Sequence, residues 1–276
     1  MNQPIEIVIT DLDKTLLNDE HIISDRNMET LKWLGKKKIK RVISTGRSLF
    51  SAKKAIADNL PIDYLIFSSG AGIIDWHTKE IIFSQSLQKE VVSAISDYLV
   101  NNKFDFMVHE PIPENHKFTY HHSGNENPDF MSRYFLYKDF AFPLHHKNND
   151  YQDSCQILVV IPQNLQLFEK VSNNLSTHEI KIIRTTSPLD GNYIWVEIFP
   201  QNISKGHSAE WLCEKLGINQ TNTMGIGNDY NDIDLLDWTA NSFIVANAPD
   251  DLKSRYKVCK SNFNNGFTDA VLAIIK

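Results

Sequence analysis

Apolar strands that alternate with helices at both ends of the chain constrain its fold more than any other feature. Ile5-Glu6-Ile7-Val8-Ile9 is short, β-branched and apolar, and it stops at Thr10-Asp11. Such a run reads as a buried strand. Ser24 is placed to cap a helix running to about Leu34 and ended by Gly35. Arg41-Val42-Ile43-Ser44 reads as a second strand, Leu49 to Leu60 as a helix that ends before Pro61, and Tyr64-Leu65-Ile66-Phe67 as a third strand. Strand, helix, strand, helix, strand is the signature of right-handed crossovers and a parallel sheet.

The same grammar returns near the C-terminus. Ser204 caps a helix with Leu212 and Leu216 on one face, closed by Gly217. Thr223-Met224-Gly225-Ile226 is a strand, Ile233 to Trp238 begins a helix, and Phe243-Ile244-Val245 is another strand. The middle differs. A helix fits Leu87 to Leu99, but the segment from about Lys103 to Asp153 is rich in His, Asn, Pro and aromatics without clean periodicity. Ile157 to Ile161 and Tyr193 to Phe199 read as strands. The expected class is α/β. A doubly wound, Rossmann-like parallel-sheet core takes residues 1–83 and 189–276, and an inserted α/β domain fills 84–188.

At roughly 150 residues per domain, the 276 residues suit two domains. Cys155, Cys213 and Cys259 form no CxxC pair and no disulfide framework, which suits a reducing compartment. No signal-peptide pattern opens the chain, and no apolar run approaches the roughly 18 residues of a membrane span. A soluble cytoplasmic protein is the expectation, with no membrane partner and no obligate protein partner in evidence. A net charge of −6 argues against a dedicated nucleic-acid surface. The basic run Lys36-Lys37-Lys38 suits a solvated helix end.

Three of the core strands end in polar clusters: Asp11-Leu12-Asp13-Lys14-Thr15, Ser44-Thr45-Gly46-Arg47, and Gly227-Asn228-Asp229-Tyr230-Asn231-Asp232. Ligands of an open α/β sheet sit at the carboxyl ends of its strands, so three such clusters converge on one site. Two carboxylates two residues apart at a strand end attract a hard divalent cation, and an aspartate can attack phosphorus to give an aspartyl-phosphate. Thr45 can donate its hydroxyl, and Gly46 its backbone N–H, to a phosphate oxygen; the alternative for Thr45 is a helix N-cap. Lys205 stands at a helix start, where a bound anion would relieve an ammonium disfavoured by the dipole; the alternative is a surface lysine. The third cluster offers oxygen ligands from Asn228, Asp229 and Asp232, or is an acidic surface loop.

Assembled in order, these segments resemble the haloacid dehalogenase-like hydrolases, and among them the Cof-type sugar-phosphatase group. The family's DxDxT motif is matched by Asp11 through Thr15. Its second motif is matched by Thr45, its lysine by Lys205, and its GDxxND motif by Gly227 through Asp232. The match covers about 1–80 and 190–276; this subgroup carries a large α/β cap between. The resemblance implies that Asp11 attacks phosphorus, and that Asp13 protonates the leaving oxygen and then activates water. Thr45, Gly46, Lys205 and Asn231 would bind the phosphoryl group, with Arg47 and Asp232 in support. Asp11, Asp13 through its carbonyl, and Asn228 or Asp229 would hold Mg²⁺. The implied substrate is a small phosphorylated metabolite, with its selectivity in the cap.

Three positions depart from the family pattern. Lys14 stands where Gly is usual, Ser69 where Asn is common, and Asn228 where the metal-binding Asp belongs. Lys14 and Asn228 motivate an alternative, a weak or silent member that only binds a phosphorylated ligand. Of the inserted-domain histidines His109, His116, His121, His122, His145 and His146, most are expected in solvent and one or two against substrate.

Overall fold

The computed structural model describes residues 4–144, 151–176, 179–187 and 192–276. His145 and His146 lie outside them. The chain divides into two compact units, Met1–Phe83 with Ser204–Lys276, and Ser84–Ile203.

The first unit begins with β1 (Ile7–Thr10), α1 (Asp25–Lys36), β2 (Lys40–Ser44), α2 (Leu49–Ala55), β3 (Tyr64–Phe67), β4 (Gly72–Asp75) and β5 (Ile81–Ser84). Ser24 caps α1, its hydroxyl accepting the Asn27 N–H. The helix does not stop at Gly35. A side chain at 35 would place its Cβ 2.3 Å from Arg41 Nη1, so this glycine clears space for an arginine and does not end the helix. Arg41 is fixed there by Asp63, whose carboxylate accepts from its Nε and Nη2 at 2.8 and 3.1 Å. Helix α2 is shorter than its spacing suggests, because Ile56 is already extended.

The second unit holds α3 (Lys89–Asn101), β6 (Asp105–His109), β7 (Phe118–His121), α4 (Pro128–Leu136), β8 (Ala141–Pro143), β9 (Ile157–Pro162), α5 (Leu165–Leu175), β10 (Ile180–Thr186) and β11 (Tyr193–Pro200). Its strands lie in the order β10-β11-β9-β6-β7-β8. Alternation sorts the side chains to two faces. Phe106, Ile157, Val159, Ile161 and Val196 pack with Val92, Ile95 and Leu99 of α3 and Val171 and Leu175 of α5. Met107, Leu158, Val160 and Trp195 pack with Phe130 of α4.

The second boundary of this unit falls at Ile203–Ser204, later than the expected 188–189. Strand β11 pairs antiparallel with β9 (Val196 opposite Val159) and with β10 (Val196 opposite Arg184), so it cannot join the core sheet. His109 is buried, with Nδ1 2.8 Å from the Asn115 carbonyl, and burial pushes it down to about 3, so its ring is neutral. His122 pairs with Asp105 at 2.9 Å.

The first unit resumes with α6 (Lys205–Leu216), β12 (Thr223–Gly227), α7 (Ile233–Trp238), β13 (Asn241–Val245), α8 (Asp250–Lys253), β14 (Lys257–Cys259) and α9 (Gly266–Ile274). Gly217 closes α6 in the left-handed conformation, φ 69°. The sheet order is β14-β13-β12-β1-β2-β3-β4-β5. Neighbours run parallel from β14 to β3, and β4 returns antiparallel to β3. Thr10 of β1 stands opposite both Ile226 and Ile43. The chain steps from β1 toward β2 on one side and receives β12 on the other, the reversal point at which such sheets bind ligands. All three cysteines are free and buried, and no helix among the described residues is long and apolar enough to cross a membrane.

Candidate active site

Strand register brings the polar clusters together. Asp11 directly follows Thr10, and its N–H donates to the Ile226 carbonyl at 2.8 Å. Thr45 directly follows β2, and its N–H donates to Ile66 of β3. Asn228 follows β12.

At the centre is a buried cation between two buried carboxylates. Lys205 Nζ donates at 2.6 Å to Asp11 Oδ1 and at 2.6 Å to Asp232 Oδ1. Lys205 and Asp232 are wholly inaccessible and Asp11 is 5% exposed. This excludes the surface-lysine reading. Burial opposes the charge on Lys205, yet the two facing carboxylates outweigh it and hold the ammonium above its ordinary range. Burial pushes Asp11 up to about 7, with Asp232 and Asp13 adding to the rise and Lys205 opposing it.

Both oxygens of Asp232 are engaged. Its Oδ2 accepts the N–H groups of Asn228 (2.8 Å) and Asp229 (3.1 Å) while Oδ1 takes Lys205. It therefore shapes the loop after β12 and orients the lysine. Gly227 is required beneath it, since a Cβ there would lie 2.5 Å from Asp232 Cβ. Gly206 has the same character: its Cβ would lie 2.4 Å from the Asp234 carbonyl oxygen, so α6 and α7 can approach only at a glycine.

Thr45 does not cap α2. Ser48 does, accepting the Ser51 N–H, while the Thr45 hydroxyl accepts the Arg47 N–H at 3.1 Å. A Cβ on Gly46 would sit 3.4 Å from Ser69 Oγ and 3.6 Å from Asn231 Nδ2, so this glycine leaves a small polar cradle between two loops. Ser69 enters here as a neighbour that sequence reasoning noted only as a departure. It adopts φ 53°, between Ser68 at 50° and Gly70 at 110°. Asn tolerates that left-handed conformation better than most residues. Lys14 is likewise left-handed, φ 57°, a conformation that glycine adopts without strain.

Asp13 is separate from the lysine cluster. Arg47 forks onto it, Nε to Oδ2 at 2.7 Å and Nη2 to Oδ1 at 2.6 Å. His21 Nδ1 lies 3.9 Å from Asp13 Oδ1, a neighbour that no sequence pattern announced.

The donor set for a divalent cation is partly met. Asp11 Oδ2 is buried without a hydrogen-bond partner, an orphaned carboxylate oxygen that a cation would satisfy. Asn228 is half-buried, and its side chain makes no hydrogen bond among the described residues. Asp229 is tied into the following turn by a capping box with Asp232. Among the described residues no group of three or more His, Cys, Asp or Glu is arranged to hold a metal. One carboxylate, one amide and a backbone carbonyl still suit Mg²⁺, which keeps several waters and uses few protein oxygens.

The family model of the haloacid dehalogenase-like hydrolases matches residues 8–271. The chain is 27% identical to the 5-amino-6-(5-phospho-D-ribitylamino)uracil phosphatase YwtE of Bacillus subtilis, covering 98% of this chain and 99% of that one. A solved subclass IIB sugar phosphatase of that superfamily superposes with a TM-score of 0.78 at 20% identity, covering 98% of this chain and all of the other. A phosphatase of the superfamily from Bacteroides thetaiotaomicron superposes with a TM-score of 0.81 at 18% identity, covering 98% and 95%. The chain belongs to the haloacid dehalogenase-like hydrolases.

Proposed function

We infer that this hydrolase is a phosphatase that cleaves small phosphate monoesters, sugar phosphates among them, through an aspartyl-phosphate on Asp11 and with Mg²⁺. The observation that carries the reading is the buried Lys205 ammonium bridging Asp11 and Asp232 beside an orphaned Asp11 oxygen. A dianionic phosphoryl group needs fixed positive charge in a dry site, and Lys205 supplies it. The names of the relatives support a phosphatase, and two of them act on phosphorylated sugars or sugar-like ribityl compounds by name.

In the first step the Asp11 carboxylate forms a bond to phosphorus as the bond from phosphorus to the leaving oxygen breaks, and Asp13 gives its proton to that oxygen. In the second, Asp13 takes a proton from the water that opens the phospho-aspartate. Lys205, the Thr45 hydroxyl, the Gly46 N–H and the Asn231 amide meet the phosphoryl oxygens. Asp11, the Asp13 carbonyl and Asn228 would hold Mg²⁺; Asp229 is the poorer donor, being committed to its turn. The cation would supply charge that favours ionised Asp11 and offsets the incoming phosphate.

The test is phosphate release from an aryl phosphate after chelation and graded return of Mg²⁺. Turnover should require the cation, and Asp11→Asn should abolish it. Wild-type turnover in Asp11→Asn would overturn the assignment. Asn228 in place of a carboxylate favours a second reading, a silent binder; background release over a broad ester panel, with thermal stabilisation by phosphorylated ligands, would establish that one.

A further inference from the structure

The Arg47 fork carries an inference about how the acid is aimed, and it rests on reading Asp13 as the proton donor. We propose that Arg47 is a positioning residue that works through Asp13 and is not a ligand of the substrate.

Three observations lead there. First, all three guanidinium nitrogens meet protein groups: Nε and Nη2 go to the two oxygens of Asp13, and Nη1 goes to Ser51 Oγ at 3.3 Å. Second, its backbone is pinned at both ends, the N–H to Thr45 Oγ1 and the carbonyl by the Ser68 N–H at 2.8 Å. The guanidinium thus stands on the same loop that presents Thr45 and Gly46. Third, Asp13 depends on it. The Asp13 side chain is 38% exposed, and among the described residues only Arg47 hydrogen-bonds its carboxylate. His21, at 3.9 Å, is too far to fix it.

A half-exposed aspartate on a loop samples several rotamers. Two parallel N–H···O bonds fix the plane of the carboxylate as well as its place, which a single ammonium cannot do. Both oxygens keep a second lone pair for chemistry. Arg47 therefore sets where the Asp13 carboxyl stands relative to the leaving oxygen. A role of this kind matters only when the leaving oxygen needs a proton. An alkoxide does, and an aryl oxide of low basicity leaves without one.

The experiment compares an alkyl phosphate with p-nitrophenyl phosphate under saturating Mg²⁺, read as kcat/KM, which reports the transfer to Asp11. Arg47→Ala and Arg47→Lys should each lower the alkyl value by about 10²–10³, the scale of general-acid catalysis. The aryl value should fall by less than about tenfold. Asp13→Asn should show the same split, and Asp13→Asn/Arg47→Ala should fall no further than Asp13→Asn alone. Arg47→Lys keeps the charge and covers the case in which Arg47→Ala fails to fold. Equal losses on both esters in the Arg47 variants, with the split retained in Asp13→Asn, would make Arg47 a substrate ligand and overturn the proposal. Absence of the split in Asp13→Asn would overturn the acid assignment itself, and this inference with it.

Discussion

Removing the Asp232 carboxylate tests the buried triad directly. Asp232 has no exposure, and it accepts three hydrogen bonds, from Lys205 at 2.6 Å and from the N–H groups of Asn228 and Asp229 at 2.8 and 3.1 Å. In Asp232→Ala the Lys205 ammonium, equally inaccessible, keeps only Asp11 as an anionic partner. Breaking a buried pair by deleting one partner costs about 3–5 kcal/mol, because the remaining charge is left undercompensated. The two freed N–H groups belong to half-buried residues that water can reach, so they add less than about 1 kcal/mol each. The sum is about 3–7 kcal/mol, a large share of the roughly 5–15 kcal/mol that holds a typical native state. Asp232→Asn retains the shape, and its amide oxygen can serve either the two N–H groups or Lys205, so it should lose less, about 3 kcal/mol. Urea unfolding followed by near-ultraviolet circular dichroism measures both. A loss below about 1 kcal/mol in Asp232→Ala would refute the argument, since Lys205 would then not need its second anion.

Asn228→Asp should tighten Mg²⁺ binding by about tenfold through added ligand charge, measured by titration calorimetry; unchanged affinity would remove residue 228 from the donor set. Gly206→Ala should cost about 1–3 kcal/mol, because its Cβ would meet the Asp234 carbonyl at 2.4 Å and backbone yields poorly; an unshifted melting point would refute the close approach. Burial alone would raise Asp63, but the hydrogen bonds and charge of Arg41 outweigh it and hold the carboxyl below its ordinary value. The contribution is therefore complete above the unfolded pKa of about 3.9 and is lost as pH falls through the lower folded value. The stability gap between wild type and Asp63→Asn, followed by acid titration, should shrink below about pH 4.

Much of the site was legible because its residues stand where apolar strands stop. Asp11, Thr45 and Asn228 each follow a buried strand, and a break in hydrophobic pattern is a local signal. Lys205 was legible from its capped helix start, though only the fold made it buried. Partner choice was not legible. Nothing within Tyr193–Pro200 says which sheet it joins, so a boundary expected at 188–189 stops short of Ile203. Gly35 looked like a helix end because its purpose, room for Arg41, lies in a different strand. The Asp13–Arg47 fork joins positions on separate loops, and residue type alone does not encode it.

The register of β1 has a consequence for how the chain is made. Ile7 pairs with Thr223 across nearly the whole sequence, with the second unit lying between them. On a ribosome adding roughly 5–20 residues per second, β1 waits about 10–40 s for β12. Until then one side of β1 is an open edge, the kind that recruits stray strands. Ser84–Ile203 is contiguous, holds its own two-faced core and can close first. Asp11 is thus synthesised before the whole second unit, and Lys205, Asp232 and the strand that completes its sheet only after it, so the buried lysine cluster closes around Asp11 once that unit has been made.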